Sequence, residues 1–312
     1  MLAATLTNRK LGCEFEFAMP IVGGGSGHDV QRVLADVLTA NDLTACSRAY
    51  CHDPLPPQCD LAVEYDSSVR GMDDMPGIAW ASIELKTRIL EGMEDWERIV
   101  PKALGICQYL GGRVNVSTGF HVHVDFPEAR RRPTKIRSLY NIFHRFEPVL
   151  YGLIASSRRT CGFAKPLPNR PRLFHNCRGI RSFQRALSSW ERHCGLNLTN
   201  LWAQDPHIEF RYHQGTLDAE KARHWLRLLN RLVEHSVVRN CQAASEPVEC
   251  NRKGFEAMRY TIGLRPNAGI YKSVAPEFKE TSRFLLRRWR QFNEPDVSGD
   301  DEKARQMFVE VA

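Results

Sequence analysis

The sequence predicts an α+β fold built on a mainly antiparallel sheet with one apolar and one polar face. Three observations lead there. Short segments of strict two-residue alternation recur along the chain, and segments of helical period stand between them. The alternating segments keep one face polar, which antiparallel sheets tolerate and buried parallel ones do not. The chain has 312 residues, 43% of them hydrophobic and 25% charged, an ordinary globular balance.

The first strand is G-C-E-F-E-F, Gly12 to Phe17. Cys13, Phe15 and Phe17 point one way, and Glu14 and Glu16 the other. G-G-G-S-G follows, a connection without the Lys-Ser/Thr ending of a phosphate-binding loop. Val30, Val33, Leu34 and Val37 then line one face of a helix over 29–39. A Pro-rich loop leads to L-A-V-E-Y-D, a short strand, and I-A-W-A-S-I-E-L-K-T-R-I-L reads as a longer one. Residues 95–110 form a helix closed by Gly111 and Gly112. G-F-H-V-H-V-D-F alternates strictly, and 134–155 reads as one amphipathic helix. Residues 158–172 are mostly loop, rich in Pro and Arg, and a helix lies near 182–192. L-N-L-T-N-L-W and H-I-E-F-R-Y-H read as two further strands, followed by a helix over 219–240 with Trp225, Leu228, Leu229 and Leu232 as its stripe. The stretch 295–302 is acidic and polar and reads as the start of a tail.

No apolar run reaches the roughly 18 residues of a membrane span, and no basic-then-apolar leader opens the chain. Ten cysteines are scattered without a C-x-x-C pair, which points to a reducing cytoplasm. Cys46, Cys51, His52 and Cys59 lie close in sequence, but their spacing matches no common zinc module. The net charge is +7, with arginine concentrated between Arg130 and Arg185. Such density suits phosphates or nucleic acid, or simply a solvated surface.

The polar strand faces carry the chemistry. Glu64 and Asp66 share a face, as do Ser82, Glu84 and Lys86, then His121 and His123, and then His207, Glu209, Arg211 and His213. Each pair alone fits a wet outer face. Together they concentrate carboxylate and imidazole with little lysine, which is a ligand set for magnesium or manganese. Neighbouring carboxylates repel by roughly 4 kcal/mol per close pair at an effective dielectric near 20, and a divalent cation reverses that sign. Arg211, two residues from Glu209, is placed to stabilise charge on a transferred phosphoryl group.

The motifs G-x-E-x-E-F, V-E-Y-D-x-S-V, I-E-L-K-T, G-x-H-V-H-V and I-E-F-R-x-H-x-G-T-L stand in the order found in amidoligases. Over residues 10–240 the chain resembles that family of carboxylate–amine ligases, which includes glutamine synthetase and gamma-glutamylcysteine synthetase. The resemblance implies a curved, glutamine-synthetase-like sheet with helices on its other face, and one catalytic domain over 1–290 with a tail at 291–312. It implies ATP and Mg2+, with Mn2+ also compatible, and an acyl-phosphate route to an amide. It assigns Glu14, Glu16, Glu84, His121, His123 and Glu209 to metal, His121 being favoured over His123. Arg211, Glu64 and Asp66 take catalytic places. Arg70, Arg158, Arg159, Lys165, Asn197 and Asn200 take substrate or nucleotide.

The expected partners are a carboxylate and an amine, on a small molecule, a peptide or a protein, with no membrane and with nucleic acid disfavoured. The alternative is a basic nucleic-acid-associated protein whose sheet is only structural, binding through Arg130, Arg131 and Arg132. A guanidino-modifying or hydrolytic enzyme on a similar face lacks an evident cysteine nucleophile motif. Lys86 shares a face with Glu84 and is placed to pair with it.

Overall fold

The computed structural model describes residues 9–51, 55–56, 58–265 and 274–294. The predicted acidic tail and His52 lie outside them. In chain order the elements are β1 (Leu11–Pro20), α1 (Gly27–Ala40), β2 (Ala45–Ser47), β3 (Leu61–Glu64), β4 (Trp80–Thr87), α2 (Met93–Tyr109) and β5 (Gly119–Asp125). Then come α3 (Glu128–Arg131), α4 (Thr134–Gly152), α5 (Ser156–Arg159), α6 (Ile180–Leu187), β6 (Leu196–Asn197) and β7 (His207–Gln214). Three helices close the described chain: α7 (Ala219–Val238), α8 (Arg252–Thr261) and α9 (Pro276–Asn293). The strands hydrogen-bond in the order β2-β3-β4-β1-β5-β7-β6. The class is α+β with a mainly antiparallel sheet, as the alternation predicts; β2 with β3 is a parallel pair.

The chain forms two compact units. One comprises Asn8–His123 and His213–Ala222, the other Val124–Tyr212 and Arg223–Val297. In the first, β1 lies antiparallel to β4 with Glu14 opposite Lys86 and Glu16 opposite Glu84. The β3–β4 register sets Glu64 opposite Glu84. The period of two therefore puts Phe15, Phe17, Val63, Ile83 and Leu85 on the buried apolar face, all at 1% exposure or less. Phe15 stacks on Phe120 of β5 at 4.5 Å between centroids, which aligns their two strands. Helix α1 packs over β2, β3 and β4. It starts in a capping box, Ser26 accepting from the Asp29 amide while Asp29 accepts from the Ser26 amide.

In the second unit α4 supplies the apolar cover. Its Phe143 stacks on Phe210 of β7 at 5.0 Å. The predicted strand L-N-L-T-N-L-W is corrected here: only Leu196 and Asn197 pair, and Thr199–Trp202 is a 3-10 turn. Asn197 explains the break. Its Oδ1 accepts from the Thr199 amide at 3.0 Å and the Thr199 hydroxyl at 2.8 Å, a side-chain turn that outcompetes the ladder. Strand β3 likewise stops at Glu64, so Asp66 leaves the sheet; its Oδ1 accepts from the Ser68 amide at 2.7 Å in the following turn.

Candidate active site

In the first unit the polar face becomes a row of acids across three strands. Glu64, Glu84 and Glu16 are successive cross-strand neighbours, at 0%, 4% and 5% exposure. Strand β5 brings the imidazoles. His121 Nδ1 lies 3.1 Å from Glu14 Oε2, and its Nε2 lies 3.4 Å from Glu16 Oε1. His123 Nε2 lies 3.4 Å from Glu14 Oε1, close enough for both groups to share one metal ion. Glu16 also accepts the Gly119 amide at 2.6 Å, which fixes its carboxylate at the start of β5.

Charge crowding shows in the proton affinities. Burial, then Glu14, pushes the Glu84 carboxyl up to about 10, Glu16 and Asp66 adding while Lys86 pulls back. Burial pushes Glu14 up as well, but His123 and His121 outweigh it and hold it well below the usual range. The donor types of Glu14, Glu16, Glu84, His121 and His123, hard oxygens with imidazole nitrogen, are those a divalent cation takes, and Glu14 and His123 bring ligand atoms within 4.8 Å of one another. A cation also fits the electrostatics, since it relieves the crowding around Glu84.

Glu64 faces different company. Its fully buried carboxylate accepts from Arg48 Nε at 2.6 Å and Lys86 Nζ at 2.9 Å. Lys86 also lies 3.6 Å from Glu84, and its ammonium stands 4.3 Å over the Tyr50 ring. The predicted Lys86–Glu84 pairing is present, but the shorter bond goes to Glu64. Arg48 and Tyr50 carry no sequence signal because they belong to no alternating run; the parallel β2–β3 pairing delivers them. Arg70 is exposed, its amide donating to Ser117 Oγ at 2.9 Å.

In the second unit β6 and β7 build a hydrogen-bonded network. Asn197 lies opposite Glu209, and its Nδ2 donates to Glu209 Oε2 at 2.7 Å. Glu209 also pairs with Arg211 Nη1, while Arg211 Nε donates to the Phe163 carbonyl at 3.2 Å. Arg158 is 2% exposed, and its Nε and Nη2 donate to the Arg211 carbonyl at 3.3 and 3.0 Å. Arg159 donates to the Ile154 carbonyl at 3.3 Å, and exposed Lys165 pairs with Glu191. Asn200 sits in the 3-10 turn, its carbonyl accepting from the Ala203 amide at 3.2 Å.

Beneath this network, Glu147 of α4 accepts from the Tyr212 hydroxyl at 2.9 Å and from the Leu167 amide at 2.9 Å. Burial pushes its carboxyl up to about 7. A lone acid inside N-I-F-H-R-F-E-P-V-L-Y was the available signal for it. Among the described residues no helix is long and apolar enough to cross a membrane.

A profile of the family described as "Putative amidoligase enzyme" matches residues 7–233. The chain belongs to the amidoligase family. Membership places it among ligases that form amide bonds, and the match spans every strand on which the acids and imidazoles stand. Among solved structures, one similar to this amidoligase is PafA, the ligase in a crystal structure of its complex with the prokaryotic ubiquitin-like protein Pup. The two align at a TM-score of 0.43 with 12% identity, over 97% of this chain and 68% of that one. No curated protein matches.

Proposed function

We propose that this amidoligase is an ATP- and magnesium-dependent enzyme that joins a carboxylate to an amine through an acyl phosphate. The observation that carries the reading is the interlocked set Glu14–His121–Glu16 with His123, beside a Glu84 whose proton affinity is driven up by burial and its acidic neighbours. A divalent cation at these groups, magnesium or manganese, supplies charge neutralisation for polyphosphate. Glu14, Glu16, Glu84, His121 and His123 hold it, with Glu209 as the further ligand its motif suggests.

In the reaction a substrate carboxylate oxygen attacks the γ-phosphorus of ATP, and the bond to the ADP oxygen breaks. The amine nitrogen then attacks the acyl carbon, expels phosphate and loses a proton. Arg211, oriented by Glu209 and the Phe163 carbonyl, stabilises the transferring phosphoryl group. Arg158 braces the Arg211 main chain. Asp66 and Glu64 serve the amine side, Glu64 with its charge balanced by Arg48 and Lys86. Arg70, Arg159, Lys165 and Asn200 contact substrate or nucleotide, and Asn197 orients Glu209. Residues 1–290 act as one catalytic domain in this reading; the family match over 7–233 draws on residues of both units.

Isothermal titration of the full chain with Mg2+ and a non-hydrolysable ATP analogue tests the assignment. The native chain binds both together, and Glu14→Gln with Glu16→Gln weakens binding by at least about tenfold, the scale of losing charged ligands. Equal binding by both proteins sinks the site. Release of ADP and phosphate only when a carboxylate and an amine are both supplied tests the chemistry.

A further inference from the structure

The charge of the chain is segregated. Residues 124–212 and 223–294 carry 30 Lys and Arg against 13 Asp and Glu, a net +17. Residues 8–123 and 213–222 carry 11 against 18, a net −7. Ligation as proposed above uses little of that positive charge, and two arginines of the Arg130–Arg132 run are already engaged. Arg130 donates to the Ala203 and Trp202 carbonyls, and Arg132 lies 3.8 Å from Glu128.

A group of cations without an acidic partner stands around α6 and the loop before it. Among the described residues no carboxylate lies within ion-pair distance of Arg137, Arg172, Arg178, Arg181, Arg185 or Arg192. Two of these converge: Nη1 of Arg137, from α4, and Nη1 of Arg178 donate to the same His175 carbonyl, at 3.1 and 2.6 Å. Two like charges thus meet at one neutral oxygen, with no described acid beside them to balance either. Arg181 and Arg185 continue the row, exposed on one face of α6 at a spacing of four residues. The opposite face is fixed, with Phe183 and Leu187 buried, Phe183 5.6 Å from Phe174, and Phe174 5.1 Å from Tyr140.

We propose that this arginine surface binds the phosphate backbone of double-stranded nucleic acid without reading sequence, and does so whether or not the acidic strand face ligates. Guanidinium matches phosphate oxygens bidentately, and two guanidiniums meeting at one point suit a tetrahedral oxyanion. A duplex also presents one phosphate charge per about 1.7 Å of its axis, a denser and more regular array than an acidic polypeptide offers to a row of arginines. Among the Phe and Trp residues described on this face, Phe174 and Phe183 are buried, and the half-buried Trp190 donates its ring N–H to the Leu196 carbonyl, so none offers an open stacking platform. Backbone contacts position a protein on a duplex but carry no sequence information.

Fluorescence anisotropy of the full chain with a labelled duplex of about two helical turns tests this. The native chain binds with a steep salt dependence. The triple variant Arg178→Ala, Arg181→Ala, Arg185→Ala binds at least about tenfold more weakly, and its log–log salt slope shrinks by about 2.7, which is about 0.9 for each phosphate no longer neutralised. A control triple on α8 and α9, Lys253→Ala, Lys279→Ala, Arg283→Ala, leaves most of the binding intact. Circular dichroism verifies folding, and Arg181→Gln with Arg185→Gln substitutes if the triple variant does not fold. Three results overturn the proposal: no duplex binding, equal losses in the two triples, or displacement of the duplex by poly-glutamate at equal charge.

Discussion

Lys86 and Glu64, on adjacent antiparallel strands, are joined by a 2.9 Å hydrogen bond to a carboxylate that is fully buried. Arg48 closes the other oxygen at 2.6 Å. Burial pulls the Lys86 ammonium down, yet Glu84, Glu14 and Glu64 outweigh it and push it up to about 12. Breaking a buried pair leaves an uncompensated charge, so Lys86→Met should cost about 3 kcal/mol in urea unfolding. Adding Glu64→Gln should recover part of that loss; a double variant no more stable than Lys86→Met would show that the pairing is not what holds this corner.

The apolar side of β1 carries the packing energy of the strand. Phe15 and Phe17 are at 1% and 0% exposure. Replacing either by alanine is expected to cost about 3–5 kcal/mol, the range for large-to-small changes in a packed core. Denaturant midpoints would check this against Glu84→Gln, whose charge is already disfavoured by burial and acidic neighbours and whose loss is expected to cost under about 1 kcal/mol.

Glu147 should impose a pH dependence on stability. Its folded carboxyl sits at about 7 against 4.5 for the free group, so the folded chain binds more protons between those values. Stability therefore falls as pH rises through that window and levels off above it. Gln keeps an acceptor for Tyr212 and Leu167 but has no charge to bury. The gap in unfolding free energy, Glu147→Gln minus native, should widen by about 3 kcal/mol from pH 4.5 to 7. A constant gap would contradict the burial of an ionising carboxyl.

Gly195 marks where the loop before β6 meets β7. A Cβ there would come within 2.1 Å of the Tyr212 ring, and the Arg211 amide donates to the Gly195 carbonyl at 2.8 Å. Gly195→Ala is expected to cost about 3 kcal/mol by overpacking and to displace Tyr212 from Glu147. Thermal melts would measure the first effect. Loss of the widening gap in a Gly195→Ala background would report the second.

Much of the fold and of the acidic face was legible in the chain itself. Alternation at Gly12–Phe17, Gly119–Asp125 and His207–His213 set which side chains share a face, because a strand offers only two. Helical period placed α1, α2, α4 and α7 within a few residues of their bounds. Periodicity had no purchase on β2, three residues long, or on the turn that Asn197 imposes with its own side chain.

What the sequence determined by itself was the set of groups and their faces: five strands of Glu, His and Arg backed by apolar partners. Tertiary structure decided their neighbours. Cross-strand register set Glu16 against Glu84 and Glu84 against Glu64, pairings between residues 68 and 20 positions apart. Pairing of β2 with β3 gave Glu64 its Arg48, and the packing of α4 left Arg137 and Arg178 sharing one carbonyl. A period along the chain fixes direction, but only the register between strands fixes distance, and Coulomb energy depends on distance.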